Sequence, residues 1–188
     1  MTEVKRLFDF PYYQLENYPQ EAALVSKVNG TWVKTSTQQY IDQANAISRG
    51  LIKLGVKAND KVAIISMTNR TQWNICDIGI LQTGAQDVPI YPTISEQDYE
   101  YVLNHSESKY VFVSCKEILD KINKIKANVP SLLGVYSFED IDGCDSWQEV
   151  ITLGNDNQDL QQEVQKRMDA VHEDDLATLI YTSGTTGR

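Results

Sequence analysis

Six consecutive residues, Thr182-Ser183-Gly184-Thr185-Thr186-Gly187, offer only hydroxyls, backbone amides and glycine, with Arg188 directly after them. Glycines let a backbone turn tightly and approach a ligand closely, and hydroxyl and N–H groups are neutral donors. Together they are the groups that wrap the oxygens of a polyphosphate. The stretch is not a Walker-type loop, which needs G-x-x-x-x-G-K-[ST]; the glycine spacing differs and no Lys-Ser/Thr step follows. Composition alone would describe a plain turn as well as a site. Position adds to it: the apolar run at residues 176–181 leads straight into these residues. That run is predicted to be a buried strand, with the loop at its carboxyl end, where open α/β sheets bind ligands.

Little else in the chain has the chemistry for a site. Cys76, Cys115 and Cys144 are scattered, and His105 and His172 are the sole histidines. This pattern reads as reduced thiols in a cytoplasmic protein and argues against a zinc site. A net charge of −9, from 26 acidic and 17 basic residues, argues against a nucleic-acid partner or an anionic membrane surface. The basic start is followed by no apolar stretch, so no secretory leader is predicted. No run reaches the ~18 apolar residues of a transmembrane segment, which leaves any peripheral membrane contact to a larger molecule.

The elements that must position the loop are legible from period and punctuation. Residues 1–20 are rich in Phe and Tyr without a sustained period, and are read as an aromatic arm packed on the body. Residues 22–28 and 31–35 flank Asn29-Gly30, a hairpin signal. Ser36 with Gln39 forms a capping-box pattern for a helix that Gly55 ends, with Tyr40, Ala44, Ile47, Leu51 and Leu54 on one face. Strands are predicted at 61–66, 86–91, 109–114 and 132–138, and helices at 69–83, from Ser95, and at 116–128. The helix at 69–83 is apolar nearly all round and is expected to be sandwiched. From 139 to 173 the pattern weakens, and Leu160, Val164 and Met168 make a narrow stripe on a polar helix, read as a surface excursion. Alternating βαβ units mean an α/β fold with a mainly parallel sheet flanked by helices. Residues 21–188 are taken as one α/β subdomain behind the arm.

The string Tyr181-Thr182-Ser183-Gly184-Thr185-Thr186-Gly187 closely resembles the phosphate-binding signature of the acyl-adenylate-forming (AMP-binding) synthetases. The likeness runs from about residue 20 to 188. Asn69-Arg70-Thr71-Gln72-Trp73, Val88-Pro89-Ile90-Tyr91-Pro92-Thr93 and Tyr101-Val102-Leu103-Asn104-His105-Ser106 are similar to the long-chain fatty-acid–CoA ligase branch. Each of these also has a packing explanation: Trp73 as core, Arg70 as a cap or ion pair, Pro89 and Pro92 as a turn after a strand, Tyr91 as a contact to a neighbouring subdomain, His105 as a favourable charge at a helix end.

The resemblance implies the amino-terminal subdomain of an enzyme that joins a fatty acid to coenzyme A with ATP and magnesium, through an acyl-adenylate and release of pyrophosphate. On that reading the hydroxyls of Thr182, Ser183, Thr185 and Thr186 and the N–H groups of Gly184 and Gly187 hold the β- and γ-phosphates. No catalytic residue and no metal ligand of the family falls in these 188 residues. The family loop continues into a Pro-Lys-Gly that is not among them, so the chain is expected to be an amino-terminal fragment, completed by the rest of the same polypeptide, inactive alone, and with its terminal loop unsettled without its continuation. The alternatives are a fragment of another carboxylate-adenylating synthetase, for an aryl or amino acid, and a non-catalytic α/β binding module.

Overall fold

In the computed structural model, residues 3–28 and 30–182 are described. The arm holds a helix that its composition does not announce, α1 (Asp9–Asn17). Its first residue builds the entry: the Asp9 carboxylate accepts from the backbone N–H groups of Lys5 and Arg6 and from the Arg6 guanidinium. Burial pushes the Asp9 carboxyl upward, but the Arg6 and backbone hydrogen bonds outweigh it and hold it below its usual range. Phe8 anchors the arm at 2% exposure, whereas Phe10 and Tyr18 stand in solvent. Phe8 and the half-buried Tyr12, rather than the whole set, do the packing.

The hairpin forms as read, β1 (Leu24–Val28) antiparallel to β2 (Thr31–Thr35), with Gly30 at φ +82°. It is a two-stranded sheet of its own, tied to the next layer where the Thr71 N–H donates to Ser26 Oγ. Next comes α2 (Thr37–Lys53), opened by the expected box: Ser36 Oγ accepts from Gln39 N and Gln39 Oε1 accepts from Ser36 N. Gly55 after it has φ +92°, a conformation without cost only for glycine.

Five strands make the main sheet: β3 (Lys61–Ile65), β4 (Gln86–Ile90), β5 (Tyr110–Val113), β6 (Gly134–Ser137) and β7 (Asp145–Ser146). They are all parallel, in the order β4-β3-β5-β6-β7. Between them run α3 (Thr71–Gln82), α4 (Glu96–Ser106) and α5 (Lys116–Ile125). Alternation decides which side chain faces which layer. Val62 and Ile64 pack with Phe112, α2 and α3 on one face; Ala63 and Ile65 pack with Val111, α4 and α5 on the other. Both faces are covered, so the central strands read as unbroken apolar runs. The chain leaves β3 toward β4 on one side, then crosses back to β5 on the other, which places the topological switch point between β3 and β5.

The region read as a surface excursion is part of the body. It folds as β7, α6 (Trp147–Asp156) and α7 (Gln161–Ala170), and Trp147, Val150, Val164 and Met168 are buried. The cause is a close crossing of α6 on α2 at two glycines. A Cβ on Gly154 would run into the Ala46 carbonyl, and one on Gly50 into the Val150 carbonyl. Arg49, 8% exposed, then ties the helices by donating to the Gly154 carbonyl at 2.8 Å.

Candidate functional site

The segment that carries the Thr/Ser/Gly loop lies along the outer edge of β4. Asp87 N donates to the Ala177 carbonyl at 3.0 Å, and Leu179 N donates to the Asp87 carbonyl at 2.9 Å. The pairing of Asp87 with Thr178 is parallel, so the direction of the run is as expected. Its length and burial are not. In place of a buried strand over residues 176–181 there is a single bridge, and Leu176 and Ile180 are 55% and 63% exposed. Parallel pairing alternates donor and acceptor, so the rung after Leu179 would need an N–H from residue 89. That residue is Pro89, which has none. Pro89 therefore lies inside β4 and ends the outer ladder there, rather than shaping a turn beyond the strand. A proline on the free side of an edge strand is where sheets tolerate one.

Beyond the bridge, Tyr181 takes over as anchor. Its hydroxyl and His105 Nδ1 share a hydrogen bond of 2.8 Å, and the rings meet edge to face at 5.6 Å. The Tyr101 ring lies obliquely to the imidazole, 5.5 Å away. His105 is in the last turn of α4, the turn that leads back to the start of β5. Both anchors thus sit toward the amino-terminal end of the sheet, not at the carboxyl end where the sequence led the loop to be expected. Of the loop residues, Thr182 is described and exposed; Ser183, Gly184, Thr185, Thr186 and Gly187 lie outside the described residues. The donors that are described suit a polyanion in type: neutral, and at the surface.

At the carboxyl end of the sheet, the crevice between β3 and β5 is bridged by protein groups. Met67 N donates to Ser114 Oγ at 3.0 Å, and Arg70 Nη1 donates to the Ser114 carbonyl at 2.9 Å. Arg70 also reaches Glu139 at 3.5 Å and lies over the Phe138 ring. Its work is to join the ends of three strands. Trp73 packs against the core, and Tyr91 is 68% exposed beside Pro92, whose carbonyl accepts from the Tyr99 hydroxyl. A cavity of about 350 Å³ lies at the opposite, amino-terminal edge, between Phe8, Leu81, Val171 and Leu176. Its cations are engaged: Arg6 with Asp9 and the Val171 carbonyl, Arg167 with Glu163 and the Val56 carbonyl.

A pair of carboxyls in the interior went unread in the sequence. Asp87 of β4 is 1% exposed and hydrogen-bonds Asp77 of α3. Burial, then the neighbouring Asp77 charge, pushes the Asp87 carboxyl well up, and burial pushes Asp77 to about 6. Burial beside a like charge favours one proton held between the two carboxyls. Asp87 Oδ1 and the Thr178 Oγ1 beside it are both buried without a hydrogen-bond partner. The available signal was an acid inside an apolar helix and another opening an apolar strand. Among the described residues, no group of three or more His, Cys, Asp or Glu is arranged to hold a metal ion, and no helix is long and apolar enough to cross a membrane.

Known proteins share both the sequence and the fold. A long-chain-fatty-acid–CoA ligase of Mycobacterium bovis is 35% identical over 161 residues, 86% of this chain and 26% of that protein. One from Xenopus laevis is 31% identical over 179 residues, 93% of this chain and 24% of that protein. The chain therefore spans about a quarter of the length of the curated relatives it matches. Among solved structures, an anthranilate CoA ligase in complex with anthranoyl-AMP superposes with a TM-score of 0.67 over 96% of this chain and 32% of its own, at 20% identity. At that identity the likeness is one of fold. The family described as AMP-binding enzyme is matched over residues 12–188, and this chain belongs to it.

Proposed function

We propose that the chain is the amino-terminal part of a long-chain fatty-acid–CoA ligase, which converts a fatty acid, ATP and coenzyme A into acyl-CoA, AMP and pyrophosphate by way of an acyl-adenylate. The observation that carries this reading is the signature from Tyr181 to Gly187 on a segment running parallel to β4, in a chain whose matched relatives carry that ligase name. ATP, with magnesium, supplies the leaving group that a carboxylate lacks. The contribution of this chain is to bind: the hydroxyls of Thr182, Ser183, Thr185 and Thr186 and the N–H groups of Gly184 and Gly187 hold and orient the terminal phosphates. Arg70 and Ser114 keep the strand ends in register. The setting we propose is cytoplasmic lipid metabolism, with coenzyme A and the acyl chain held by the rest of the same polypeptide.

The test is fatty-acid-dependent exchange of pyrophosphate into ATP. The 188-residue chain by itself is expected to show none, since it spans about a quarter of its relatives. A polypeptide of the relatives' length that contains it is expected to exchange with a long-chain acid. There Thr185→Ala should lower the rate 10- to 100-fold, because a hydrogen bond to a charged group contributes roughly 1.5–3 kcal/mol. Exchange by the 188-residue chain would end the fragment reading. Exchange driven by benzoate or an amino acid but by no long-chain acid would move the assignment to another carboxylate-adenylating synthetase.

A further inference from the structure

His105 was read from the sequence as a charge at a helix end, yet the structure gives its ring a specific partner. The backbone ladder that fixes the terminal segment stops at Leu179, because Pro89 cannot donate the next rung. Three residues later the loop begins. Within that gap the Tyr181 hydroxyl meets His105 Nδ1 at 2.8 Å with the two rings nearly perpendicular, and Tyr101 lies against the imidazole as well. Tyr181 and Leu179 also rest on the apolar cluster beneath α4 and α5. Ser106, next to His105, is buried and hydrogen-bonded to Ser108, which fixes the end of the helix on which the imidazole stands.

We propose that His105 is a positioning residue for the phosphate loop, holding Tyr181 so that Thr182, the first residue of the loop, leaves the sheet edge at a set place. It touches no phosphate itself. The proposal rests on the reading of the loop as a phosphate cradle. It extends that reading to a helix that contributes no residue to the signature.

Amide hydrogen exchange at the terminal segment tests it on the 188-residue chain, and ATP binding by calorimetry tests it on a polypeptide of the relatives' length that contains this chain. His105→Phe keeps a ring of similar shape and loses the hydrogen bond; Tyr181→Phe loses the same bond from the other side; His105→Asn keeps a polar atom near the Nδ1 position. Exchange of the Leu179 amide, the last one bonded to β4, is expected to rise roughly five- to tenfold in each Phe variant, the size of one hydrogen bond. The double variant should be no worse than Tyr181→Phe alone, which also gives up the hydroxyl's hydrogen bond to Ser106. His105→Asn should return within about twofold of wild type, and Tm should hold in all of them because His105 is exposed. The dissociation constant for ATP should rise by the same factor as the exchange. Unchanged exchange in His105→Phe overturns the proposal, and so does faster exchange with unchanged ATP affinity, which would leave His105 a purely structural contact. Absence of ATP binding by the wild-type polypeptide of the relatives' length strikes the phosphate-cradle reading instead, while the exchange data still report whether the latch exists.

Discussion

β3 and the terminal run at 176–181 are written in nearly the same alphabet and meet different fates. In β3, Val62, Ala63, Ile64 and Ile65 are all buried to 1% exposure or less. In the terminal run, Leu176 and Ile180 are more than half exposed, and one bridge holds it to the sheet. The difference lies in the neighbours. β3 has β4 on one edge, β5 on the other and helices over both faces. The run has β4 alone, and β4 offers it one residue before Pro89 withholds a donor. Apolar composition selects segments able to form a strand; hydrogen-bond partners determine how much of one forms.

The well-packed side of this comparison breaks most heavily where it is tightest. Gly154→Ala puts a methyl group against the Ala46 carbonyl, a backbone atom that cannot swing aside. Forcing α6 off α2 is expected to cost about 3 kcal/mol, at the upper end of overpacking effects. Urea denaturation should show a lower midpoint with an unchanged slope. A loss under about 0.5 kcal/mol would mean that the two helices slide apart freely, and that this layer is held no better than the terminal run.

Asp87 belongs to both regions, since its backbone bonds the terminal segment and its side chain is buried against α3. Its carboxyl and that of Asp77 both titrate above their usual range, so the folded chain retains a proton that the unfolded chain releases. Stability should therefore fall as pH rises from about 4 through about 6, and further where Asp87 itself ionises. With one pKa unit equal to about 1.4 kcal/mol, the loss is on the order of 2 kcal/mol. Asp87→Asn supplies an amide donor to Asp77 without a titrating proton. Its stability curve should be flatter across this window and cross above wild type by pH 8. Curves that run parallel from pH 4 to 8 would show that the pair shares no proton.

The sequence made the frame of the molecule legible because its signals are local. Ser36 and Gln39 form the capping box they spell, Gly55 takes the positive φ, and the change of period from helix to strand marks β3 through β6. Ser95 starts α4 as expected, with Tyr99, Val102 and Leu103 buried. What escaped reading depends on contacts between distant positions. α6 is buried by a glycine crossing that pairs residues about a hundred apart in the chain. The Asp77–Asp87 pair and the bond from His105 to Tyr181 are likewise invisible to spacing. Pro89 was read as a turn because nothing local says that β4 is an edge strand with its outer side half used.

The smallest effect separates the two regions most sharply. Pro89→Val restores the missing donor, so that residue 89 can bond the Leu179 carbonyl and accept from Tyr181 N. Each added rung contributes roughly 0.5–1.5 kcal/mol, while loss of the proline frees the unfolded chain by about 0.4–1 kcal/mol. The two rungs are offset by the lost proline together with the lost Tyr181–His105 bond, and the denaturation midpoint should barely move. Local protection should move: exchange at Tyr181 is expected to slow about tenfold, as the bridge lengthens into a strand and carries Tyr181 to the level of Ile90 at the carboxyl end of β4. The same step draws the Tyr181 hydroxyl away from His105, so exchange in this variant should no longer respond to His105→Phe. If Tyr181 exchanges as fast in Pro89→Val as in wild type, the missing N–H is not what cuts the terminal strand short, and the contrast with β3 must come from the helices that cover both faces of β3 and only part of the run.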